Sequence, residues 1–161
     1  MSTHSWGEHP DQVDAEWTSR DQMDKWLQRC ERIGQAATPH LLQLTDTLPE
    51  ITSVVVCTVD GFNICSVGLD EEIVGQFAAL SSSVHSVSRA VVHSLSEQQD
   101  RDFLDLVVVV AGDRQVLYIT FEHPTMGELV LATGARTLVL GELLMESRST
   151  ATRLKDALAH L

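Results

Sequence analysis

Hydrophobic positions recur at helical or strand spacing along most of the chain, and their order predicts eight elements. From the N-terminus these elements are a helix, two strands, a helix, three strands and a helix. The run LVVVV at 106–110 does not alternate with polar residues. Such a run predicts a strand covered on both faces, and therefore helices on both sides of one largely antiparallel sheet. An ordinary core strand with one exposed apolar edge is the alternative.

The N-terminal region divides into two parts. Residues 1–19 are polar, contain a glycine and a proline and lack periodicity, which predicts a loose arm. Residues 20–37 predict a helix, and its apolar stripe consists of Met23, Trp26, Cys30 and Ile33. That stripe either docks on its own domain or serves a partner. Pro39 after Thr38 predicts the start of a new helical turn, which ends before Pro49.

The segment VVVCTVDGFNICSVG predicts a β-hairpin, because Asp60-Gly61 stands between two β-branched runs. With a two-residue loop, Cys65 lies opposite Val56, and the thiols of Cys57 and Cys65 point to opposite faces of the sheet. They then cannot form a disulfide. A three-residue loop would instead place the two cysteines opposite each other. Buried free thiols are the expected state.

The helix predicted from Glu71 to about Ser96 has three faces on a helical wheel. We expect the broad apolar stripe to lie on the sheet, and it contains Ile73, Phe77, Leu80, Val84, Val87, Val91 and Leu95. A neighbouring face is apolar at both ends and small in the middle, and it carries Val74, Ala78, Ser81, His85, Ser88 and Val92. The third face is polar but hardly charged, and it carries Gly75, Ser82, Ser86, Arg89 and His93.

The face with small residues is informative because it would let a second helix come close. Hydroxyl groups bond locally to the backbone, and the centres of protein interfaces are depleted of charge. We therefore expect this helix to pack on its own sheet and on a helix of another subunit. The alternative is an exposed serine-rich helix tolerated by a strong core.

Composition narrows the class of protein. The 161 residues are 43% apolar, which fits one globular domain. Eleven Lys and Arg against 23 Asp and Glu give a net charge of −12, so nucleic acid and anionic membranes are poor partners. The N-terminus has no signal-peptide h-region, and no apolar run is long enough for membrane insertion. Three cysteines without a CxxC pair suit a reduced compartment, and we expect a cytoplasmic protein.

Signatures of catalysis are not found in the sequence. It contains no GxxxxGK[ST], GxGxxG, GxSxG or HExxH motif, and no zinc-type ligand spacing. Ser81 and His85 stand four residues apart, but nothing suggests a nearby acid or an oxyanion site. We therefore predict a protein that is not an enzyme and that uses no cofactor and no metal.

The DG hairpin, the helix containing AALSSSVHSVSRAVV, and the strands LVVVVAGDRQVLYITF and GELVLATG together resemble the roadblock family of dynein light chains. The resemblance covers residues 38–161 and leaves 1–37 as an N-terminal extension. It implies an α+β fold, an α/β sandwich of order α-β-β-α-β-β-β-α. In that fold a five-stranded antiparallel sheet carries the middle helix on one face and the other two helices on the opposite face.

The resemblance also implies a dimer, in which middle helices pack together and strands starting near Phe103 pair across the two-fold axis. The expected interface consists of Val74, Ala78, Ser81, His85, Ser88, Val92, Phe103, Asp105 and Val107. Bacterial roadblock members include regulators of small Ras-like GTPases, so the implied partners are a second copy and such a GTPase or another protein subunit. A surface for that partner would contain Ser82, Ser86, Arg89 and His93. The alternative function is a scaffold or adaptor subunit in a motor or signalling complex.

Overall fold

A computed structural model describes residues 10–95 and 105–161, with the side chains of the first helix described from Ser19 onward. The described elements follow the predicted order. The helices are α1 (Pro10–Thr47), α2 (Glu71–Leu95) and α3 (Leu140–Leu158). The strands are β1 (Ile51–Thr58), β2 (Asn63–Val67), β3 (Leu106–Ala111), β4 (Arg114–His123) and β5 (Gly127–Arg136).

The five strands form one antiparallel sheet in the order β2-β1-β5-β4-β3. The last strand in sequence, β5, lies in the centre between β1 and β4, so β2 and β3 are the edge strands. Helices α1 and α3 cover one face, and α2 covers the other. The predicted α+β fold, with one helix on one face and two on the other, is confirmed.

Two hydrophobic clusters lie on the two faces of the sheet. The larger cluster joins the sheet to α1 and α3, and its fully buried members include Ile33, Leu41, Leu117, Leu131 and Leu154. The smaller cluster joins the sheet to α2 and contains Val55, Cys57, Ala78, Tyr118, Val130 and Ala132. Because each buried aliphatic side chain contributes about 1.5–3 kcal/mol, the α1/α3 face supplies most of the hydrophobic stabilisation. Helix α2 is therefore attached to the sheet through less buried apolar surface than α1 and α3.

Helix α1 is longer than predicted and is not interrupted at Pro39. The expected break fails because Thr38 does not cap a new helix; its hydroxyl donates to the Gly34 carbonyl at 2.7 Å. Pro39 lacks an N–H and removes one helical hydrogen bond, but it lies on the exposed side, where water can bond the Gln35 carbonyl. The buried Ala37 and Leu41 on either side keep the helix on the sheet.

The loose arm predicted for residues 1–19 is wrong for residues 10–19, which are helical, while 1–9 lie outside the described residues. The helix crosses the boundary predicted after residue 37 without a break. Cys30 and Ile33 of the predicted stripe are buried in the domain core, whereas Met23 is 56% exposed. The division into an extension and a roadblock domain stays a prediction.

The predicted hairpin is present, but its loop has three residues instead of two. Thr58 N donates to the Phe62 carbonyl at 2.9 Å, and Gly61 N donates to the Thr58 carbonyl at 3.0 Å. Gly61 has a φ of +93°, the conformation that a three-residue hairpin requires at this point. The Thr58 hydroxyl stabilises the longer loop by bonding Asp60 and by accepting from Phe62 N at 3.0 Å.

A bulge between Val56 and Cys57 then restores the predicted register for the rest of the hairpin. Val56 pairs with Cys65, whereas Cys57 pairs with Asn63. Cys57 therefore faces α2, and Cys65 packs against the cluster under α1 and α3. The prediction that the two thiols stay free on opposite faces is confirmed.

Candidate interaction surface

Helix α2 lies on the sheet through its face of small residues. Ala78, Ser81 and His85 are its buried residues, and they sit over the cluster that contains Tyr118 and Val55. The Ser81 hydroxyl donates to the Phe77 carbonyl at 2.8 Å, so this buried polar group is satisfied locally. Small residues allow the helix to come close to the sheet beside the bulky Tyr118.

The apolar stripe of α2 points mostly away from the sheet, so the prediction that it lies on the sheet is wrong. Phe77 and Val84 pack partly against the smaller cluster. The other five members are between 47% and 79% exposed, and we call them the outer stripe: Ile73, Leu80, Val87, Val91 and Leu95. The helical wheel found both apolar faces of α2, but it could not decide which of them meets the sheet.

The residues predicted for a dimer interface are therefore distributed over different environments. Ala78, Ser81 and His85 are occupied by the chain's own sheet. Val74 and Val107 pack partly against the same cluster. Three further members have partly or fully exposed positions or lie at the sheet edge: Ser88, Val92 and Asp105. Phe103 lies outside the described residues.

Strand β3 presents a second apolar surface, at the edge of the sheet. Among the described residues it pairs with β4 alone, and Val108, Val109 and Val110 are exposed. The prediction that this run is covered on both faces is wrong, and the alternative of an exposed apolar edge describes it. An open edge of this kind offers unpaired backbone groups to a further strand.

The residues predicted for a partner surface differ in whether their side chains bond to other groups of the chain or are exposed. Ser82 donates to the Val59 carbonyl at 2.6 Å and so ties α2 to the hairpin loop. Arg89 forms an ion pair with Glu128 at 3.1 Å. Ser86 and His93 are exposed on α2. Arg89 is therefore engaged within its own chain, whereas Ser86 and His93 face outward.

Burial controls the ionisation of the groups under α2. Desolvation raises the pKa of the Cys57 thiol to about 12 and raises the pKa of Tyr118 above its ordinary value. Desolvation lowers the pKa of His85, while Glu128 acts in the opposite direction and Arg89 lowers it further. These groups are uncharged at neutral pH, so the inner side of α2 is electrically neutral.

The described residues do not assemble a recognisable catalytic centre. A groove between β4 and α3 has two carboxylates and two cations in its lining and no activated nucleophile; these charged residues are Asp105, Glu122, Arg148 and Lys155. In the same ranges, no group of three or more His, Cys, Asp or Glu side chains could hold a metal ion. Nor does any described helix have the length and apolar character needed to cross a bilayer.

Comparison with known proteins places this fold among roadblock structures. No protein-family model matches the sequence, and no curated protein matches it either. Among solved structures, the Roadblock/LC7 domain from Streptomyces avermitilis has a TM-score of 0.62 at 21% identity, covering 73% of this chain and 92% of that domain.

Two further similar structures carry the name MglB. The gliding protein MglB of Thermus thermophilus has a TM-score of 0.64 at 10% identity, over 80% of this chain and 93% of that one. Myxococcus xanthus MglB has a TM-score of 0.62 at 13% identity, over 76% of this chain and 86% of that one. The chain has the roadblock fold, and the resemblance read from its sequence is confirmed at the level of fold.

Proposed function

We propose that this chain is a non-enzymatic, dimeric regulator of a small Ras-like GTPase that works through protein–protein contacts. The observation that carries the proposal is the outer stripe of α2. Large aliphatic side chains at Leu80, Val87 and Val91 are about half exposed or more on a helix whose inner face is already packed. Contiguous exposed apolar surface of this kind is typical of a protein interaction site.

Charge supports a second copy as the occupant of the outer stripe. The chain carries a net charge of −12, so two copies repel each other over most of their surfaces. Helix α2 between Ile73 and Leu95 contains Arg89 as its one Lys, Arg, Asp or Glu residue, and this arginine is paired with Glu128. The outer stripe is therefore a place where two copies can approach without bringing like charges together.

The open edge of β3 supports the same arrangement, because pairing between two copies of β3 would extend the sheet across a dimer. The exposed side chains of Val108 to Val110 would then gain cross-strand neighbours from the second copy. The GTPase is suggested by the roadblock resemblance, and the fold is shared with the MglB structures. Ser86 and His93, which face outward on α2, are available for such a partner.

The test uses the full chain and every Ras-like GTPase encoded in the same genome, each loaded with GDP or with a non-hydrolysable GTP analogue. We expect one GTPase to bind in one nucleotide state, and Ser86→Arg to weaken that binding without changing the mass of the regulator. The chain alone should turn over no GTP. Binding to no GTPase, together with stable incorporation into a motor or signalling complex, would favour the scaffold alternative.

A further inference from the structure

His85 lies in the seam between α2 and the sheet and is 4% exposed. Its Nε2 atom has no hydrogen-bond partner among the residues that the structure describes. A neutral imidazole can tolerate this position, because it carries no net charge into the apolar cluster. An imidazolium would bring an additional N–H donor and a positive charge into the same space, where no acceptor receives them.

The charged and titratable groups around His85 give little compensation for such a charge. Glu128 of β5 attracts it, but this carboxylate already binds Arg89, whose own charge repels an imidazolium. Tyr118 of β4 and Cys57 of β1 lie in the cluster beneath α2, and burial raises the pKa of both, so neither supplies a negative charge.

We infer that His85 makes the attachment of α2 to the sheet sensitive to acid, with protonation of the imidazole releasing the helix. The geometry favours release of α2 rather than unfolding of the whole domain. The buried residues of α2 are Ala78, Ser81 and His85, which offer little aliphatic surface. Its other contacts with the cluster, from Val74, Phe77 and Val84, are only partly buried. The opposite face of the sheet is held by many fully buried aliphatic side chains from α1 and α3.

The direction of the pH effect follows from proton linkage. The pKa of His85 in the packed state lies below its ordinary value of 6.5, so the released state binds more protons as the pH falls below 6.5. Attachment of α2 is therefore complete above that pH and weakens as the pH falls from 6.5 towards the packed-state pKa. One proton changes the equilibrium by at most about tenfold per pH unit within that window.

A consequence for assembly rests on the proposed function. The outer stripe belongs to α2, so a released helix would no longer present Leu80, Val87 and Val91 in one fixed line. A dimer formed through that stripe should then weaken in proportion to the fraction of chains in which α2 is released.

Amide hydrogen exchange of the full chain tests the inference, with rates corrected for the intrinsic effect of pH. Between pH 7.5 and 5.5 we expect the protection of α2 amides to fall, by at most about tenfold, while protection in β1 and β5 stays constant. An NMR titration of the His85 ring, identified by its loss in His85→Gln, should have its midpoint below 6.5. His85→Gln should abolish the pH dependence of α2 protection, whatever its absolute level.

His93→Gln is the matched control, because it removes an exposed imidazole from the same helix and should keep the wild-type response. The inference is overturned if α2 protection is independent of pH, if His85→Gln keeps the response, or if β1 and β5 lose protection together with α2. Release of α2 in most chains at low pH with an unchanged dimer would support the inference and would instead contradict a dimer formed through the outer stripe.

Discussion

One buried side chain, His123, joins the last turn of α3 to the β4–β5 turn through hydrogen bonds. Its replacement should therefore lower the free energy of unfolding. Its Nδ1 atom faces the backbone N–H groups of Thr125 and Met126, each at 3.2 Å. Because Nδ1 accepts from both, the ring proton is on Nε2, which donates to the Leu158 carbonyl at 2.9 Å. His123 is buried, and Leu158 belongs to the core.

The magnitude follows from counting these hydrogen bonds. Each contributes about 1 kcal/mol, so His123→Ala should lower the free energy of unfolding by about 3 kcal/mol. In His123→Asn the amide oxygen replaces Nδ1 and keeps the two turn bonds, so the loss should be about 1 kcal/mol. In His123→Gln the amide nitrogen replaces Nε2 and keeps the bond to α3, so the loss should be about 2 kcal/mol.

Urea denaturation at one fixed protomer concentration measures these differences, since association would otherwise shift the apparent stability. His160→Ala, which removes an exposed imidazole near the chain end, should stay within about 0.5 kcal/mol of the wild type. The reasoning is refuted if His123→Ala behaves like that control, or if His123→Asn is as unstable as His123→Ala.

Two further pairs of variants test the packing by thermal denaturation. Gly68 has a φ of +84°, and a Cβ there would lie 2.2 Å from the Thr52 carbonyl oxygen, so Gly68→Ala should cost at least about 2 kcal/mol. Gly112 has a φ of +63° and open space around it, so Gly112→Ala should lower the free energy of unfolding by only about 1 kcal/mol. Equal losses in Gly68→Ala and Gly112→Ala would contradict the predicted clash. Ile33→Ala should cost about 2–5 kcal/mol because Ile33 is fully buried. Met23→Ala should stay within about 0.5 kcal/mol, and a loss as large as that of Ile33→Ala would mean that the N-terminal part of α1 is packed.

The element order could be predicted from the sequence because each element has its own hydrophobic period and clear turn residues. The length of the hairpin loop could not. Asp60-Gly61 favours a two-residue turn, but the Thr58 hydroxyl bonds Asp60 and the Phe62 backbone and stabilises a three-residue loop. A bulge then compensates for the additional residue, so Cys65 still pairs with Val56. Local side-chain bonds of this kind are not visible in a hydrophobic pattern.

The orientation of α2 shows a different limit of sequence analysis. Both apolar faces of the helix were found, yet the larger side chains were expected on the sheet because their burial would contribute more free energy. The sheet presents Tyr118 on this side, and Ala78 and Ser81 leave room for it. Which face of α2 meets the sheet therefore depends on Tyr118, a residue of β4 that is distant in the sequence. The sequence nevertheless contains a signal for an interaction surface on the outer stripe, because these residues are large, apolar and almost free of charged neighbours.

Helix α1 illustrates how tertiary packing overrides a helix breaker. Pro39 favours a helix boundary, but it lies on the exposed side while Ala37 and Leu41 are buried against the sheet. The loss of one backbone hydrogen bond is smaller than the gain from continuous burial on the other side. A proline's position relative to the buried face can be recognised only when that face is known.

Sedimentation equilibrium at micromolar concentration tests most directly whether the outer stripe joins two copies of the chain. The wild type should have twice the 17.8 kDa mass of one chain. Val87→Arg should have the mass of one chain, because an arginine cannot be desolvated at the centre of an apolar contact without a large cost. Ser86→Arg places the same charge on the adjacent exposed position and should leave the dimer intact. A wild type of 17.8 kDa, or a Val87→Arg variant that remains dimeric, would contradict the account.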